Sequence, residues 1–539
     1  MRASNPESEH GQLRLWTFHG GLHLPDEKAL SSDRPIEPLR LPPLLVIPLR
    51  QHIGAPARPG VRVGDQVGKG QVIGTADGYV SAAVHASSSG TVIAIEERLI
   101  PHPSGLPAPC VVIATDGQDA WAPLPAPLTD YPHLDPALLR ERVHWAGVVG
   151  LGGGAFPTSV KLRSERRIET LIINGVECEP YITCDDRLMR ERSVQVLEGA
   201  RIIRTLLGAE RVLIGIEDNK PAAIAALSAV LAQTGPDPHI RIVPVPTRYP
   251  SGGERQLIRI LTGREVPTRG LPAQIGVACQ NVATTAAVAD AVLLGQPLIA
   301  RVVTVTGRAV ARPGNLAVPV GTPLAHLVAH CGGFRETPRR LLCGGPMMGF
   351  ALSHLEIPIT KAFNCLLALT AAEAPDPGPA LACIRCGRCA EVCPVRLLPQ
   401  QLYWHARAKA FDRAQGYNLF DCIECGCCAQ VCPSHIPLVQ YYRFAKNAIW
   451  AHEEERRKAD QARARHQARQ ARLERLEQER ESKLRKKREM LDETTAAAVP
   501  GRAGDGDLDA RRALIEAAKQ RAAAKKAAAQ PRTEPLDQI

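Results

Sequence analysis

Hydrophobic and polar positions alternate in short runs over the early part of the chain. Residues 44–50, 71–76, 79–86, 90–97 and 110–117 read as strands broken by glycine. From 140 to 300 the period changes. Segments 171–174, 211–217 and 240–246 are apolar runs of strand length, while 195–207 and 221–232 repeat apolar residues at helical spacing. That alternation predicts an α/β domain. Between 301 and 350 the order is strand (302–305), turn (318–322), a helix from Pro323 to about His330, then strand. The Pro/Ala stretch 371–380 predicts a linker before a cysteine-rich segment. Beyond Ala451 the sequence is rich in Arg, Glu, Gln and Ala. Leu473, Leu476, Leu484 and Leu491 form one narrow stripe without sustained heptads, which fits a solvated helix better than a coiled coil. Residues 494–539 are Ala/Lys-rich and are expected to be disordered.

The length of 539 residues exceeds one core, so three or more domains are expected. The net charge of +11 is partly local, because residues 453–490 hold fourteen Lys/Arg against nine Asp/Glu. Such a run suits an anionic membrane surface, nucleic acid or an acidic partner; nucleic acid is not an expected partner here. The most apolar segment, 286–300, is short and carries Asp290, so no membrane span is expected. Met1–His10 is polar with no apolar core behind it, so no signal peptide is expected. The sixteen cysteines then do not read as disulfides, and those at metal-ligand spacing read as cytosolic metal ligands.

Eight of them form two matched repeats, Cys383-x2-Cys386-x2-Cys389-x3-Cys393-Pro394 and Cys422-x2-Cys425-x2-Cys428-x3-Cys432-Pro433. Thiolates suit the soft iron–sulfide core of a cubane cluster. Three close cysteines wrap one cluster, and the fourth, ahead of proline, reaches the other. The expected sets are Cys383, Cys386, Cys389 and Cys432 for one [4Fe–4S] cluster, and Cys422, Cys425, Cys428 and Cys393 for the second. Zinc sites use four ligands, usually as two CxxC pairs, which fits these repeats poorly. Cys427 falls outside the spacing. Cys110, Cys178, Cys184, Cys279, Cys331, Cys343 and Cys365 are scattered and read as small buried residues.

A glycine loop, Gly150-Leu151-Gly152-Gly153-Gly154-Ala155-Phe156-Pro157-Thr158, precedes a helix carrying Lys161. Glycines let backbone N–H groups approach phosphate, and a helix start favours the anion. The loop is neither GxGxxG nor a P-loop, and on glycine content alone a tight structural turn fits as well. Asn174-Gly175-Val176-Glu177-Cys178-Glu179-Pro180 closes a predicted strand, where open α/β sheets place ligands. Tyr249-Pro250-Ser251-Gly252-Gly253-Glu254 and Asn281-Val282-Ala283-Thr284-Thr285 each lead into a helix.

In this order the four motifs resemble the flavin- and NADH-binding subunit of respiratory complex I. The resemblance implies FMN as cofactor and NADH as substrate. It implies that Gly152, Gly153, Gly154 and Lys161 contact FMN phosphate or NADH, with Gly150 of the same loop and Gly252 of the 249–254 turn also binding the cofactor. Asn174 and Asn281 would hydrogen-bond the flavin, and Phe156 would stack on adenine. Glu177, Glu179 and Glu254 would line the nicotinamide side, with Glu177 and Glu179 as candidate catalytic residues. Residues 301–350 look like the β-grasp domain that follows in that family. Residues 63–71 and 84–92 resemble the half-motifs of a barrel-sandwich hybrid, the fold of lipoyl and biotinyl carriers. The tip, Asp77-Gly78-Tyr79, lacks the carrier lysine, so a docking module is expected.

In the complex I family a single cluster is held by a differently spaced cysteine set. The two-cluster repeat, the barrel-sandwich module, the leading Phe18-His19-Gly20-Gly21-Leu22-His23-Leu24-Pro25 and the charged tail together resemble the RnfC/RsxC family of the Rnf/Rsx ion-translocating electron transport complexes over about residues 12–450. Gly154-Ala155 stands where the complex I loop has Ala-Gly, and Val176 replaces an acidic residue.

The resemblance implies a multidomain α/β chain: a lead (1–40), a barrel-sandwich hybrid (41–120), an FMN/NADH-binding α/β domain (135–300), a soluble-ligand-binding β-grasp domain (301–355), a two-cluster ferredoxin-type domain (375–450) and a basic tail (451–539). The implied function is a peripheral electron-input subunit on the cytoplasmic side of the cell inner membrane. It would pass electrons between NADH, through FMN, and the clusters, while partner subunits translocate Na⁺ or H⁺. The implied partners are integral-membrane and ferredoxin-like subunits of the same complex, ferredoxin, and an anionic membrane surface at the tail. Two alternatives stand beside it: a soluble flavin/iron–sulfur cobalamin reductase and a non-catalytic iron–sulfur electron wire.

Overall fold

The computed structural model describes residues 13–496 except 165, 234, 236 and 377, together with 508–527. Residues 1–10, on which the signal-peptide expectation rests, lie outside these. The chain divides into two units, one ending at Ile449 and one beginning at Trp450.

Four parallel strands organise the α/β domain. Their spatial order is Ile240–Val245, Arg211–Glu217, Thr170–Gly175, Val277–Asn281. In chain order that is third, second, first, fourth, so the winding reverses between Thr170–Gly175 and Val277–Asn281. Connections leave the strand ends in opposite directions at such a reversal and open a crevice for ligands. The strands are apolar on both faces because both faces are covered. Leu171 and Ile173 face the core shared with helices Ser193–Leu207 and Val282–Leu293, while Ile172 faces helix Glu254–Thr262. Gly199 lets the first two helices touch, since a Cβ there would sit 1.9 Å from the Thr285 carbonyl oxygen.

The N-terminal module has two small sheets. One orders Leu44–Pro48, Pro107–Thr115, Gly90–Leu99 and Gln66–Val67; the other orders Arg58–Pro59, Val72–Thr75 and Val84–His85. The strand expected over 79–86 pairs only at Val84–His85. Ser81 holds the preceding stretch instead, accepting from the Asp77 N–H and donating to the Ala55 carbonyl.

A six-stranded sheet follows, ordered Glu37–Pro38, Gly314–Pro319, Ala300–Thr306, Cys365–Leu369, Arg340–Cys343, Phe350–Ala351. It takes one strand from the lead and one from beyond 355. Cys365–Leu369 is buried throughout and pairs in parallel with Ala300–Thr306, so it belongs to the core rather than to a connection.

Two buried basic side chains pin this sheet to its neighbours. Lys361 Nζ donates to the Ala83 carbonyl at 2.7 Å and the Gly147 carbonyl at 2.8 Å. Arg301 donates to the carbonyls of Lys361 at 2.5 Å and of Leu151, in the glycine loop, at 3.0 Å.

The cysteine segment has repeated halves. Helices Arg388–Glu391 and Cys427–Gln430 each begin after a glycine with positive φ, Gly387 at 79° and Gly426 at 82°. Helix Pro399–Arg407 and the start of helix Leu438–Ala496 close a small core around them. In the second unit, Leu473, Leu476, Leu484 and Leu491 are all exposed on that helix. Part of the stretch expected to be disordered is helical, Leu508–Ala527. Alanine, lysine and arginine are strong helix formers, which accounts for it. Residues 497–507 and 528–539 lie outside the described residues.

Candidate functional site

A cavity of about 880 Å³ occupies the crevice beside the strand reversal. Gly150, Gly152, Gly153, Gly154, Phe156, Lys161, Asn174, Glu177, Glu179, Gly252, Glu254 and Asn281 all line it. Four separate turns bring them together because each leaves the C-terminal edge of the parallel sheet or begins a helix there.

The glycine loop is closed on itself. The Gly150 N–H donates to the Phe156 carbonyl at 2.8 Å, and Ala155 donates back to Gly150 at 3.0 Å. Leu151 N–H is held by Thr284 Oγ1 at 2.8 Å. The N–H groups of Gly152, Gly153 and Gly154 have no partner among the described residues. A Cβ built at Gly153 or Gly154 would meet open space, and Gly153 has φ +96°. These free donors form a cradle that backbone alone lines, which suits an anionic group approaching closely.

Around the cradle, the polar side chains already have protein partners. Lys161 Nζ pairs with Glu254 at 2.7 Å. Burial opposes the lysine charge, and Glu254 overrides it, so the pKa is raised. Asn174 donates to the Gly252 carbonyl at 2.8 Å and accepts from Val176 N–H at 3.2 Å. Asn281 caps helix Val282–Leu293, accepting from Ala283 at 2.9 Å and Thr284 at 3.3 Å, and donates to Asp185 at 2.6 Å.

The two candidate catalytic carboxylates are held by backbone amides. Glu177 accepts from Asp185 N–H at 2.7 Å and Asp186 N–H at 3.3 Å, at the start of helix Cys184–Glu191. Burial raises the pKa of Glu177 and that of the adjoining Asp185. Glu179 accepts from Met347 and Met348 N–H at 2.7 and 2.9 Å, drawing the 343–350 turn of the six-stranded sheet over the cavity. Burial raises its pKa too.

The cysteines gather around two further cavities. One is lined by Cys383, Cys386, Cys389 and Cys432; the other by Cys393, Cys422, Cys425 and Cys428, with Cys427 beside them. Each surrounds a small space with four thiols from both repeats, a donor set suited to an iron–sulfur cubane. The second group is the more buried, whereas Cys386 of the first is exposed. Cys427 is fully buried, packed with Tyr249 and Cys425. Lys446 donates to the Cys422 carbonyl at 2.7 Å and to Glu424 at 2.8 Å.

Several lining residues escape sequence reasoning. Pro101 and Pro103 come from the N-terminal module, Arg301 from the six-stranded sheet, Thr360 and Asn364 from the segment leading into its strand Cys365–Leu369, and Ile423 and Arg443 from the cysteine segment. The only signal for Arg301 was a lone charge between apolar neighbours.

A cradle for an anionic cofactor sharing a wall with a paired-cluster segment defines a flavin and iron–sulfur electron-transfer protein. The matching family models agree, in chain order: an RnfC barrel sandwich hybrid domain (16–118), a Nuo51 FMN-binding domain (143–290), an SLBB domain (302–351) and a 4Fe-4S dicluster domain (382–436). The cofactors of these domains are FMN and two [4Fe–4S] clusters, and the cradle and thiol sets fit them.

Among curated proteins, the C subunit of the ion-translocating oxidoreductase complex of Pseudomonas aeruginosa is 56% identical over 468 residues, 86% of this chain and 60% of that protein. Its Edwardsiella ictaluri counterpart is 51% identical over 87% of this chain and 58% of its own length. The Serratia proteamaculans counterpart is 48% identical over 93% of this chain and 69% of its own. The chain belongs to this family, the C subunits of ion-translocating oxidoreductase complexes. It spans about 60% of the length of the first two relatives.

Proposed function

We propose that this chain is the electron-input subunit of a membrane-bound ion-translocating oxidoreductase, taking electrons from NADH at the FMN site and passing them to its two clusters. The observation that carries this is the shared wall. Ile423, next to Cys422, and Arg443, bonded to Glu424 at 2.8 Å, both line the cavity that holds the glycine cradle.

FMN, when bound, supplies hydride acceptance from nicotinamide and release of electrons one at a time. The free N–H groups of Gly152–Gly154 bind phosphate, and the Lys161–Glu254 pair steers charge at its edge. Phe156 offers an aromatic face for adenine. Asn174 and Asn281 offer their remaining donor capacity to the flavin. Glu177 and Glu179 shape the nicotinamide side; their bonds to backbone amides make them positioning groups.

Cys393, Cys422, Cys425 and Cys428 ligate the inner cluster, nearer the flavin. Cys383, Cys386, Cys389 and Cys432 ligate the outer one, whose exposed edge suits onward transfer to a partner. The partners are integral-membrane and ferredoxin-like subunits that translocate Na⁺ or H⁺, with ferredoxin as a further one. The chain sits peripherally on the cytoplasmic side of the inner membrane, its basic tail against anionic lipid. No described helix is long and apolar enough to cross a membrane.

The test is the reconstituted chain. It should bind FMN and oxidise NADH with ferricyanide, and Gly153→Val should lose both while keeping its iron. No flavin binding and no NADH oxidation in the wild type, with Gly153→Val behaving identically, would leave the electron-wire reading in its place; an active wild type with an equally active variant would remove Gly153 from the site.

A further inference from the structure

None of residues 18–25 lines the flavin cavity, yet this segment is fitted to both sides of the electron path. Trp16 N–H donates to the Ile260 carbonyl at 2.9 Å, and the indole fills the space a Cβ on Gly263 would need. The chain then crosses to the cysteine segment. His19 Nδ1 lies 3.0 Å from the Cys393 carbonyl oxygen, and Gly21 N–H donates to the Val392 carbonyl at 2.9 Å.

Two adjacent glycines make that crossing possible. Gly20 and Gly21 have φ +63° and +80°. A Cβ on Gly20 would fall 2.4 Å from the Val392 carbonyl carbon, and one on Gly21 would fall 2.7 Å from the Tyr249 carbonyl oxygen. The backbone itself is therefore wedged between the cysteine loop and the turn leading into helix Glu254–Thr262.

Tyr249 continues the contact. It exchanges two backbone hydrogen bonds with Leu22, both 2.8 Å. Its side chain is buried, and its hydroxyl donates to the Cys425 carbonyl at 2.7 Å. Arg248 braces the segment from the same turn, bonding the Gly20 carbonyl. Beyond the crossing, the buried Lys28 donates to the carbonyls of Glu177, Glu179 and Ile182 at 2.9, 3.1 and 2.6 Å. One continuous segment thus grips the cavity turn and a carbonyl of one inner-cluster cysteine, and through Tyr249 a second.

We infer that residues 16–28 form a positioning strap that holds the Cys393, Cys422, Cys425 and Cys428 cluster against the flavin cavity and so sets the gap electrons cross. This rests on the function proposed above. A strap with only a folding role would affect every property together; a positioning strap affects transfer between the centres and leaves each centre intact.

The experiment uses the full chain with FMN and clusters, as wild type, Gly20→Val and His19→Ala. The first change forces Val392 to move, and the second removes one contact without straining the backbone. Iron content, the EPR signals after dithionite and NADH–ferricyanide activity should be kept in both variants. Stopped-flow reduction of the clusters by NADH should slow several-fold in Gly20→Val and less in His19→Ala. Hydrogen exchange over 389–396 should rise in Gly20→Val without NADH present, while exchange over 170–175 stays unchanged. Unchanged cluster reduction with unchanged exchange would overturn the strap. Loss of iron in both variants would also overturn it, in favour of a folding role. A wild type that fails to oxidise NADH would sink the proposed function instead, and the exchange result would still judge the strap.

Discussion

Asn281 offers a test in which the cost can be worked from the bonds it makes. Its Oδ1 caps helix Val282–Leu293, and its Nδ2 donates to the buried Asp185 carboxyl at 2.6 Å. Replacing it with alanine removes both. Loss of an N-cap costs about 1 kcal/mol. Loss of a hydrogen bond to a charged group costs about 1.5–3 kcal/mol. The second figure is limited here, because Asp185, with its pKa already raised by burial, can take up a proton once the amide is gone. The expected sum is roughly 2–3 kcal/mol, or about 30- to 150-fold in local opening. Hydrogen exchange over residues 277–293 should accelerate by that factor. Asn281→Asp keeps the cap but sets a second carboxyl beside Asp185, so its effect should be large at high pH and shrink as pH falls. In an Asp185→Asn background, Asn281→Ala should cost less than in the wild type, because the charged partner is absent. Less than threefold acceleration in Asn281→Ala, or equal costs in the two backgrounds, would refute this account of the site.

Cys393→Ala should lower iron from about eight to about four per chain. The EPR signal lost should be that of the cluster sharing Cys422, Cys425 and Cys428, and loss of the other signal alone would reject the crossed ligand sets. Lys361 is fully buried, and burial lowers its pKa to about 7 from the ordinary 10.5. Between those values the folded chain binds fewer protons than the unfolded one, so this residue makes stability rise with pH, by up to about 1.4 kcal/mol per unit. Lys361→Met should flatten that slope in urea titrations from pH 7 to pH 9, and an unchanged slope would count against it.

The parts of the fold visible in the sequence are those whose signal is local. Strand Arg211–Glu217 and helix Ser193–Leu207 announce themselves by an apolar run and a helical period. The cysteines and the glycine turns announce themselves by spacing. What stayed hidden depends on pairing between distant segments. Residues 365–369 form an apolar run that could have been a strand, but nothing local says that it inserts beside Ala300–Thr306. Periodicity reports that a face is buried, not what buries it. For the same reason Pro101, Pro103 and Ile423 carry no mark of the cavity they line. Arg301 and Lys361 bond only backbone carbonyls through their side chains among the described residues, and no motif records a carbonyl.

The strap also bears on how the molecule is made. His19 and the Cys393 carbonyl it meets are 374 positions apart, and Tyr249 and Cys425 are 176 apart. On the ribosome, the segment emerging first must wait for nearly all of the described core before its partner appears. Contacts of that span form late, after local elements have settled. The strap therefore cannot close before the first cysteine repeat, which holds Val392, has been made. Closure of the strap is thereby tied to segments from both ends of the described core, and the two centres are joined only once both exist.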